Sequence, residues 1–154
     1  MTVCYRLCWQ GHAANSGYGA EKRGGRWNPK GIPVIYAAAT VSLAALEILA
    51  NSAFLPQDYT ATEIQIPTEM HIEYVALDSL PRDWDAPVPI SETKDIGARW
   101  IQQQRSGVLC VPSSVSPTER NFVINPRHPD FPLITFGSPR SFKFDPRLKA
   151  VHSA

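Results

Sequence analysis

The chain has 154 residues, of which 44% are hydrophobic and 19% are charged. This composition is typical of a soluble globular protein with one core, and it argues against a disordered chain or two independent domains. The three cysteines show no C-x-x-C spacing, so neither a disulfide framework nor a zinc site is predicted. The sequence contains no signal peptide and no apolar run of the roughly 18–20 residues that a membrane span requires, so we expect a cytoplasmic protein.

The net charge is only +1, but the charges are unevenly distributed. Residues 1–60 hold five basic and three acidic side chains, residues 61–119 hold four and nine, and residues 120–154 hold six and two. A domain that binds nucleic acid usually carries a strongly basic surface, and this chain does not. The distribution favours a small anion, such as a phosphate-containing ligand, held by a few arginines.

The first half of the chain predicts two strands, a long loop and a helix. Residues 2–7 alternate partly and are rich in strand-forming residues, which predicts an opening strand. Residues 11–31 are glycine-rich, polar and aperiodic, which predicts a long functional loop. A short apolar run at residues 33–37 predicts a buried strand. Thr40 is then placed to cap a helix over residues 41–51.

The second half predicts mainly strands. They are expected at residues 60–66, 71–75, 108–111, 122–124, 133–136 and 141–144, with a loop at 78–89 and a helix from about 91 to 104. Many strands and few helices, without regular βαβ alternation, predict one compact α+β domain over residues 1–154 with mixed or antiparallel sheets. The last part of this domain is a tail from about residue 140 to 154.

The predicted helix at 41–51 is apolar on nearly every side, yet Glu47 lies in its middle as its only charged residue. A buried carboxylate is costly unless it is paired or used, and perturbed carboxylates cluster at active sites. Two interpretations carry equal weight. Glu47 either lies on a partly exposed stripe or in a structural pair with an arginine, or it is a catalytic group.

Two further segments contain candidate site residues. In GGRWNPKG, residues 24–31, glycines would let backbone N–H groups approach a phosphate that Arg26 binds, although the segment also fits a tight turn with a solvated arginine. Residues 109–131 run from a strand into a Pro-Ser turn with Ser113 and Ser114. That turn also fits a proline-stiffened hairpin, and no G-x-S-x-G motif indicates a serine hydrolase.

Four stretches together resemble the RES domain family. They are YRL at 5–7, GGRWNPKGIPVIYAA at 24–38, ALEIL at 45–49, and VPSS followed by NPRHPDF within 111–131. They occur in order over nearly the whole chain, while residues 69–105 and the tail match poorly. The resemblance implies a fold similar to ADP-ribosyltransferases and a bacterial toxin that destroys NAD. It also implies an antitoxin partner with an Xre-type helix-turn-helix.

The same motifs assign residues to the implied site. Arg26, Glu47 and Ser113 are similar to the arginine, glutamate and serine that name the family, although the neighbouring Ser114 leaves the choice of serine open. Tyr36 matches the family's active-site tyrosine. Two residues of the first strand match a family feature that faces the cleft, namely Tyr5 and Arg6.

The implied reaction cleaves the bond between nicotinamide and ribose in NAD. Glu47 would hold the ribose hydroxyls and stabilise the positive charge that grows at the anomeric carbon. Arg26 would bind the pyrophosphate, and no metal or other cofactor is expected. Among the remaining candidates, Lys30 and Arg6 would bind NAD by charge and Tyr36 by stacking on nicotinamide. Ser113 would position the ribose or the carboxamide.

Several alternatives stay open. The acceptor of the ADP-ribosyl group is water, phosphate or a protein side chain, with NAD breakdown favoured over protein modification. Arg6, Arg127 and His128 are candidate phosphate contacts by charge alone, and His128 equally fits a structural residue between two prolines. A non-enzymatic nucleic-acid-binding module and a metal-dependent nuclease are less favoured, because neither strong basicity nor an Asp, Glu and His cluster is present. We also expect the antitoxin to block the cleft near Arg26, and the family suggests a homodimer.

Overall fold

A computed structural model describes residues 1–152. Within them lie three α-helices: α1 (Tyr18–Arg23), α2 (Val41–Ala50) and α3 (Ser91–Gln103). The eight strands are β1 (Thr2–Trp9), β2 (Ile35–Ala38), β3 (Tyr59–Ile66), β4 (Ile72–Tyr74), β5 (Val108–Pro112), β6 (Arg120–Ile124), β7 (Thr135–Phe136) and β8 (Arg140–Phe142). Short 3-10 turns occupy Leu77–Ser79 and Phe131–Leu133. None of the helices in the described residues is long and apolar enough to cross a membrane.

All eight strands belong to one sheet with the order β4-β5-β6-β2-β1-β3-β7, and β8 also pairs with β3. Every pair is antiparallel except β4 with β5, which is parallel. The longest ladder joins β1 to β3, from Thr2 opposite Ile66 to Trp9 opposite Tyr59. The predicted α+β class with a mixed sheet and few helices is confirmed.

The two faces of the sheet support separate cores, because successive side chains of a strand point to opposite faces. One face is covered by side chains of the sheet itself and of its connections; its buried cluster includes Cys4, Ile35, Ile64, Cys110 and Ile124. The other, here called the helix face, is covered by α2 at one end and by a tryptophan cluster at the other. That face includes Leu7, Ala38 and Val123, with Trp27, Trp84 and Trp100.

Helix α2 begins where the sequence predicts. The Thr40 side chain accepts a hydrogen bond from the Leu43 backbone N–H at 3.0 Å, which is the N-cap contact expected of a threonine before a helix. Three consecutive residues of the helix are buried: Leu43, Ala44 and Ala45. Burial of an apolar side chain such as Leu43 contributes about 1.5–3 kcal/mol, so packing holds this helix more than capping does.

One sequence expectation needs correction. The predicted loop at residues 11–31 contains α1, a six-residue helix with no buried residue, so it leaves no apolar period in the sequence. The strand predicted at 141–144 in the tail is present as β8, which pairs with β3, and Phe144 is buried in the cluster beneath α2. The last residues of the predicted domain, Ser153 and Ala154, lie outside the described residues.

Candidate active site

A hydrogen bond joins α2 to the segment after β5. The Ser113 hydroxyl donates to Glu47 Oε1 at 2.7 Å. Ser113 follows directly after Pro112, the last residue of β5, and is fully buried at 0% exposure, whereas Glu47 is half-buried. The two residues are 66 positions apart in the chain, so the fold itself creates this pair.

The turn after β5 fixes the direction of the Ser113 hydroxyl. Its oxygen accepts hydrogen bonds from the backbone N–H groups of Val115, at 3.2 Å, and Ser116, at 3.1 Å. With its oxygen accepting from these two groups, the hydroxyl hydrogen is directed to Glu47. Of the two adjacent serines, Ser113 therefore makes the contact with the carboxylate, and Ser114 does not.

The glycine-rich loop forms a tight turn with Arg26 near its tip. The Gly25 backbone N–H donates to Asn28 O at 2.9 Å, and these two residues form an isolated β-bridge. A side chain at Gly25 would lie 2.7 Å from the Tyr36 hydroxyl, so only glycine fits there. Gly24 has φ +74°, in the left-handed region that favours glycine. The turn predicted as one alternative is present, and Arg26 in it is half-buried rather than solvated.

Asn28 organises the interior of this loop. Its side chain is fully buried, and its amide nitrogen donates to the backbone carbonyls of Ala20 and Ile32, both at 2.9 Å. Its amide oxygen accepts a hydrogen bond from the Tyr36 hydroxyl. The single side chain thus joins α1, the loop and β2. Sequence reasoning missed it, although Asn before Pro in a glycine-rich segment is a known turn signal.

Tyr36 braces the loop through its hydroxyl group. Besides donating to Asn28, the hydroxyl accepts a hydrogen bond from the Trp27 backbone N–H at 3.1 Å. Burial raises the pKa of Tyr36 well above its usual value, and the hydrogen bond from Trp27 and the nearby Arg26 charge oppose this rise. The hydroxyl therefore stays protonated and keeps donating to Asn28 throughout the physiological pH range.

Arg26 is held by the middle of the chain. Its Nη1 donates to the Trp84 backbone carbonyl at 2.8 Å, and the rings of Trp27 and Trp84 pack with centroids 6.4 Å apart. Burial lowers the pKa of Arg26, while the nearby carboxylates of Glu47 and Asp85 act in the opposite direction. The guanidinium remains charged in proteins, so a fixed cation interacts electrostatically with the Glu47 carboxylate.

Helix α3 supports the same loop from the other side. The Lys94 ammonium donates to Gly25 O at 2.7 Å. At Gly97 the helix approaches the loop so closely that a Cβ atom would lie 1.6 Å from Trp27 O. Lys30, the lysine that the sequence assigns to ligand binding, lies in the loop with its side chain exposed. The middle of the chain, which matched its family poorly, thus holds the Arg26 loop in place.

Arg6 lies on the other face of the sheet. Tyr5 is directly opposite Ala38, and Leu7 packs beneath α2, so the alternation of β1 places Arg6 on the face opposite α2. The Arg6 side chain donates to Ser16 O at 3.0 Å, and burial lowers its pKa. The structure therefore brings Tyr5 to the face that carries Glu47, and does not bring Arg6 there.

Like Arg6, the other two candidates for a phosphate contact have partners within the protein. His128 is buried; its Nε2 lies 3.1 Å from Gln104 O, and its Nδ1 accepts a hydrogen bond from the Asp130 backbone N–H at 3.0 Å. Both ring nitrogens are thus used to connect the end of α3 to the loop that follows β6. Arg127 is exposed and forms an ion pair with Glu21 at 3.2 Å. The structural interpretation of His128 fits this geometry.

Comparison with known proteins identifies the family. The model of the RES domain family matches residues 3–145. The chain belongs to the RES domain family. The resemblance seen in the sequence motifs is therefore confirmed, and the match includes every site residue discussed so far.

Relatives named as toxins agree with this assignment. A protein named Toxin Res from Yersinia enterocolitica is 39% identical over 152 residues, covering 96% of this chain and 99% of the relative. A protein named Prs ADP-ribosylating toxin from Sphingobium sp. is 39% identical over 137 residues, covering 86% and 85%. A second Toxin Res, from Photorhabdus laumondii, is 41% identical over 133 residues, covering 84% and 85%.

The fold has a counterpart among solved structures. A chain of the M. tuberculosis MbcT-MbcA toxin-antitoxin complex superposes with a TM-score of 0.71 at 19% sequence identity, covering 92% of this chain and 84% of that one. At this identity the likeness concerns the fold alone. Because it covers 92% of the chain, it includes residues that the sequence motifs left unmatched.

Proposed function

We propose that this RES protein is the toxin of a toxin-antitoxin pair and that it breaks down NAD by cleaving the bond between nicotinamide and ribose. Family membership and the names of its relatives support the first part. One observation carries the second part: a hydrogen bond from Ser113 orients the half-buried Glu47 carboxylate, whose charge acts on the pKa of Arg26.

Glu47 is the proposed stabiliser of the transition state. When the bond between nicotinamide and ribose breaks, its electron pair moves to the ring nitrogen, and the ribose carbon acquires oxocarbenium character. Nicotinamide leaves as a neutral molecule, so no general acid is needed. Ser113 engages Oε1, and we assign Oε2 to the ribose. A carboxylate that is oriented in advance stabilises the developing positive charge without reorganising during the reaction.

Arg26 is assigned to the pyrophosphate of NAD. A guanidinium has five N–H donors, and the bond to Trp84 uses one of them. Lys30 adds positive charge to the same loop. Tyr36 acts by holding this loop through its hydroxyl group, and Arg6 receives no substrate contact because it lies on the opposite face.

The acceptor of the ADP-ribosyl group determines which product forms. With water the products are nicotinamide, ADP-ribose and a proton, and with inorganic phosphate the ribose carbon receives a phosphate oxygen instead. A second candidate function is mono-ADP-ribosylation of a protein, and it is favoured by one relative that is named an ADP-ribosylating toxin. Both functions use Glu47 in the same way.

An antitoxin partner forms part of the proposal. We place an Xre-type helix-turn-helix protein over the cleft near Arg26, and the structural neighbour's membership of a toxin-antitoxin complex supports such a partner. Expression of this chain together with the product of an adjacent gene should give a stable copurifying complex and relieve growth arrest. Growth arrest that persists despite coexpression would contradict this part.

The decisive experiment follows the products of NAD. The purified protein is incubated with NAD, with and without inorganic phosphate, and nicotinamide and ADP-ribosyl products are separated by chromatography. Glu47→Gln is expected to reduce nicotinamide release by about 10²-fold or more, since it removes the charge that the transition state needs. Ser113→Ala is expected to reduce it about tenfold, as for loss of one hydrogen bond to a charged group.

Glu63→Gln is the matched control, because Glu63 is an exposed carboxylate on β3. It should retain the activity of the unmodified protein. Release of nicotinamide that requires phosphate would identify phosphate as the acceptor. No release under either condition contradicts NAD breakdown, and labelling of a protein with ADP-ribose would then favour the second candidate.

A further inference from the structure

One buried polar group near the Glu47–Ser113 pair has no partner in the described part of the chain. Asn121 lies on β6 with 9% of its side chain exposed, and its Oδ1 atom is fully buried without a hydrogen bond. Buried polar side chains are nearly always hydrogen-bonded in native proteins, so such an exception calls for an explanation. A buried acceptor next to a candidate active site is suited to a donor that a ligand supplies.

The register of the sheet places Asn121 beside the reacting groups. Asn121 is directly opposite Ala38 on β2 and Val111 on β5, so the three side chains share the helix face. Ser113 lies two residues beyond Val111. Its N–H donates to Glu119 O and so extends the hydrogen-bond ladder between β5 and β6. Glu47 reaches from α2, which covers β2, to Ser113, which follows β5. Asn121 belongs to β6, the strand between them.

The surroundings of Asn121 match one part of the proposed substrate. Its neighbours on either side, Ala38 and Val111, are small or apolar and buried, which suits a flat aromatic ring rather than a hydrated sugar. Nicotinamide is such a ring, and its carboxamide carries N–H donors that need a buried acceptor. Glu47 already supplies an acceptor for the ribose hydroxyls.

We propose that Asn121 is a substrate-contacting specificity residue whose Oδ1 accepts a hydrogen bond from the carboxamide N–H of nicotinamide. This inference rests on the proposed NAD cleavage and deepens it. A nicotinate ring carries a carboxylate without an N–H donor, and its oxygens would face the Asn121 oxygen. The site should therefore select NAD over deamido-NAD, its nicotinic acid analogue, by at least about 100-fold in kcat/KM. Sites that hydrogen-bond a substrate N–H or O–H group reject analogues without that group by such factors or more.

The main test replaces Asn121 by leucine, which has a similar shape and no polar atom. A purely structural asparagine would lose stability on this change. If Asn121 instead binds a ligand, its Oδ1 has no hydrogen bond in the free protein that the substitution could remove. Leucine should then raise Tm by about 3 °C. At the same time kcat/KM for NAD should fall about 100-fold, and the preference over deamido-NAD should fall to below about tenfold.

Two further variants sharpen the test. Asn121→Asp keeps an acceptor oxygen of the same shape, so it should retain NAD turnover within about tenfold and discriminate against deamido-NAD at least as strongly. Thr62→Val is the matched control. The Thr62 Oγ1 atom is also buried without a partner, but Thr62 pairs with Arg6 and lies on the face opposite α2. It should raise Tm without changing activity or selectivity.

Binding of free nicotinamide separates this inference from the proposed reaction. Nicotinamide and nicotinate are titrated into the unmodified protein and Asn121→Leu, and binding is followed by NMR. Selective binding of nicotinamide that disappears in Asn121→Leu supports the inference even where NAD is not cleaved. Equal binding of the two compounds, equal loss of both dinucleotide activities in Asn121→Leu, or a lower Tm without a change in selectivity would each overturn it.

Discussion

The loop that carries Arg26 and the helix that carries Glu47 are attached to the sheet in different ways. The loop is held by a network of hydrogen bonds beside the buried Trp27 ring; the side-chain donors of this network are Asn28, Tyr36, Lys94 and Arg26 itself. Helix α2 is held mainly by apolar contacts to β1 and β2, through Leu43, Ala44 and Ala45. The cation and the carboxylate of one candidate site thus depend on different kinds of support.

The two kinds of support should fail in different ways. A buried hydrogen-bond network demands specific geometry, and loss of one member leaves the others unpaired in a medium of low polarity. Apolar packing is less directional and tolerates small changes. Changes near the loop are therefore expected to affect stability and activity together, whereas changes at the end of α2 away from Glu47 should affect stability alone.

The largest effect is expected for Asn28→Ala. The change leaves the Ile32 carbonyl without its donor and the Ala20 carbonyl with only the Gly24 N–H, and it removes the acceptor of the Tyr36 hydroxyl. We expect a loss of about 3 kcal/mol in the free energy of unfolding. Nicotinamide release should fall about 10²-fold, because displacement of Arg26 by about 1 Å costs that much. Chemical denaturation and the NAD assay measure the two effects.

Two companion variants test whether the network is the cause. Tyr36→Phe removes one hydroxyl and keeps Asn28, so its effects should be smaller than those of Asn28→Ala. Asn15→Ala changes an exposed asparagine of the same glycine-rich region and should stay within about 0.5 kcal/mol of the unmodified protein. Full activity in a stably folded Asn28→Ala protein would show that the loop does not need this network.

The next largest effect is expected for Gly97→Ala. Alanine is favoured over glycine in a helix by about 1 kcal/mol, so propensity alone predicts a more stable protein. Here, however, the new Cβ atom would lie 1.6 Å from Trp27 O, and α3 must move away from the loop. We expect a net loss of about 2 kcal/mol, within the range of overpacked cores, together with reduced NAD cleavage.

Gly19→Ala provides the comparison within another helix. A Cβ atom there would meet only the end of the flexible Arg23 side chain, at 3.3 Å. This variant should be as stable as the unmodified protein or slightly more stable. If Gly97→Ala behaved in the same way, the close approach of α3 to the loop would not matter for stability.

Local signals account for the parts of the fold that the sequence predicts correctly. Helix α2 has a threonine cap and a dense apolar composition, and its observed start agrees with the prediction. Helix α1 was missed because six residues without a buried side chain produce no periodicity. The parallel pairing of β4 with β5 joins strands separated by α3, and no local pattern specifies it.

The same distinction between local signals and long-range pairing applies to the residues of the candidate site. Arg26, Glu47 and Ser113 were found through motifs, but their mutual geometry depends on pairing across the sheet. Trp84 contributes through its backbone carbonyl, which any residue type carries, so no sequence pattern indicates it. Asn121 is distinguished by the lack of a partner, which becomes visible only when all its neighbours are known.

The smallest effect is expected for Lys149→Met, at the far end of α2. The Lys149 ammonium donates to the backbone carbonyls of Leu49 and Ser52, and so satisfies groups that a helix C-terminus leaves unpaired. The family match ends at residue 145, so this contact lies outside the shared region. Its loss should cost about 1 kcal/mol and lower Tm by about 2–4 °C.

Activity should remain within about twofold in this variant, because packing of α2 on the sheet and the bond from Ser113 still hold Glu47 in place. Lys143→Met, which changes an exposed lysine of the same tail, should alter neither Tm nor activity. A loss of NAD cleavage in Lys149→Met as large as that in Asn28→Ala would mean that the position of Glu47 depends on polar contacts as strongly as that of Arg26. The contrast between the two supports would then be wrong.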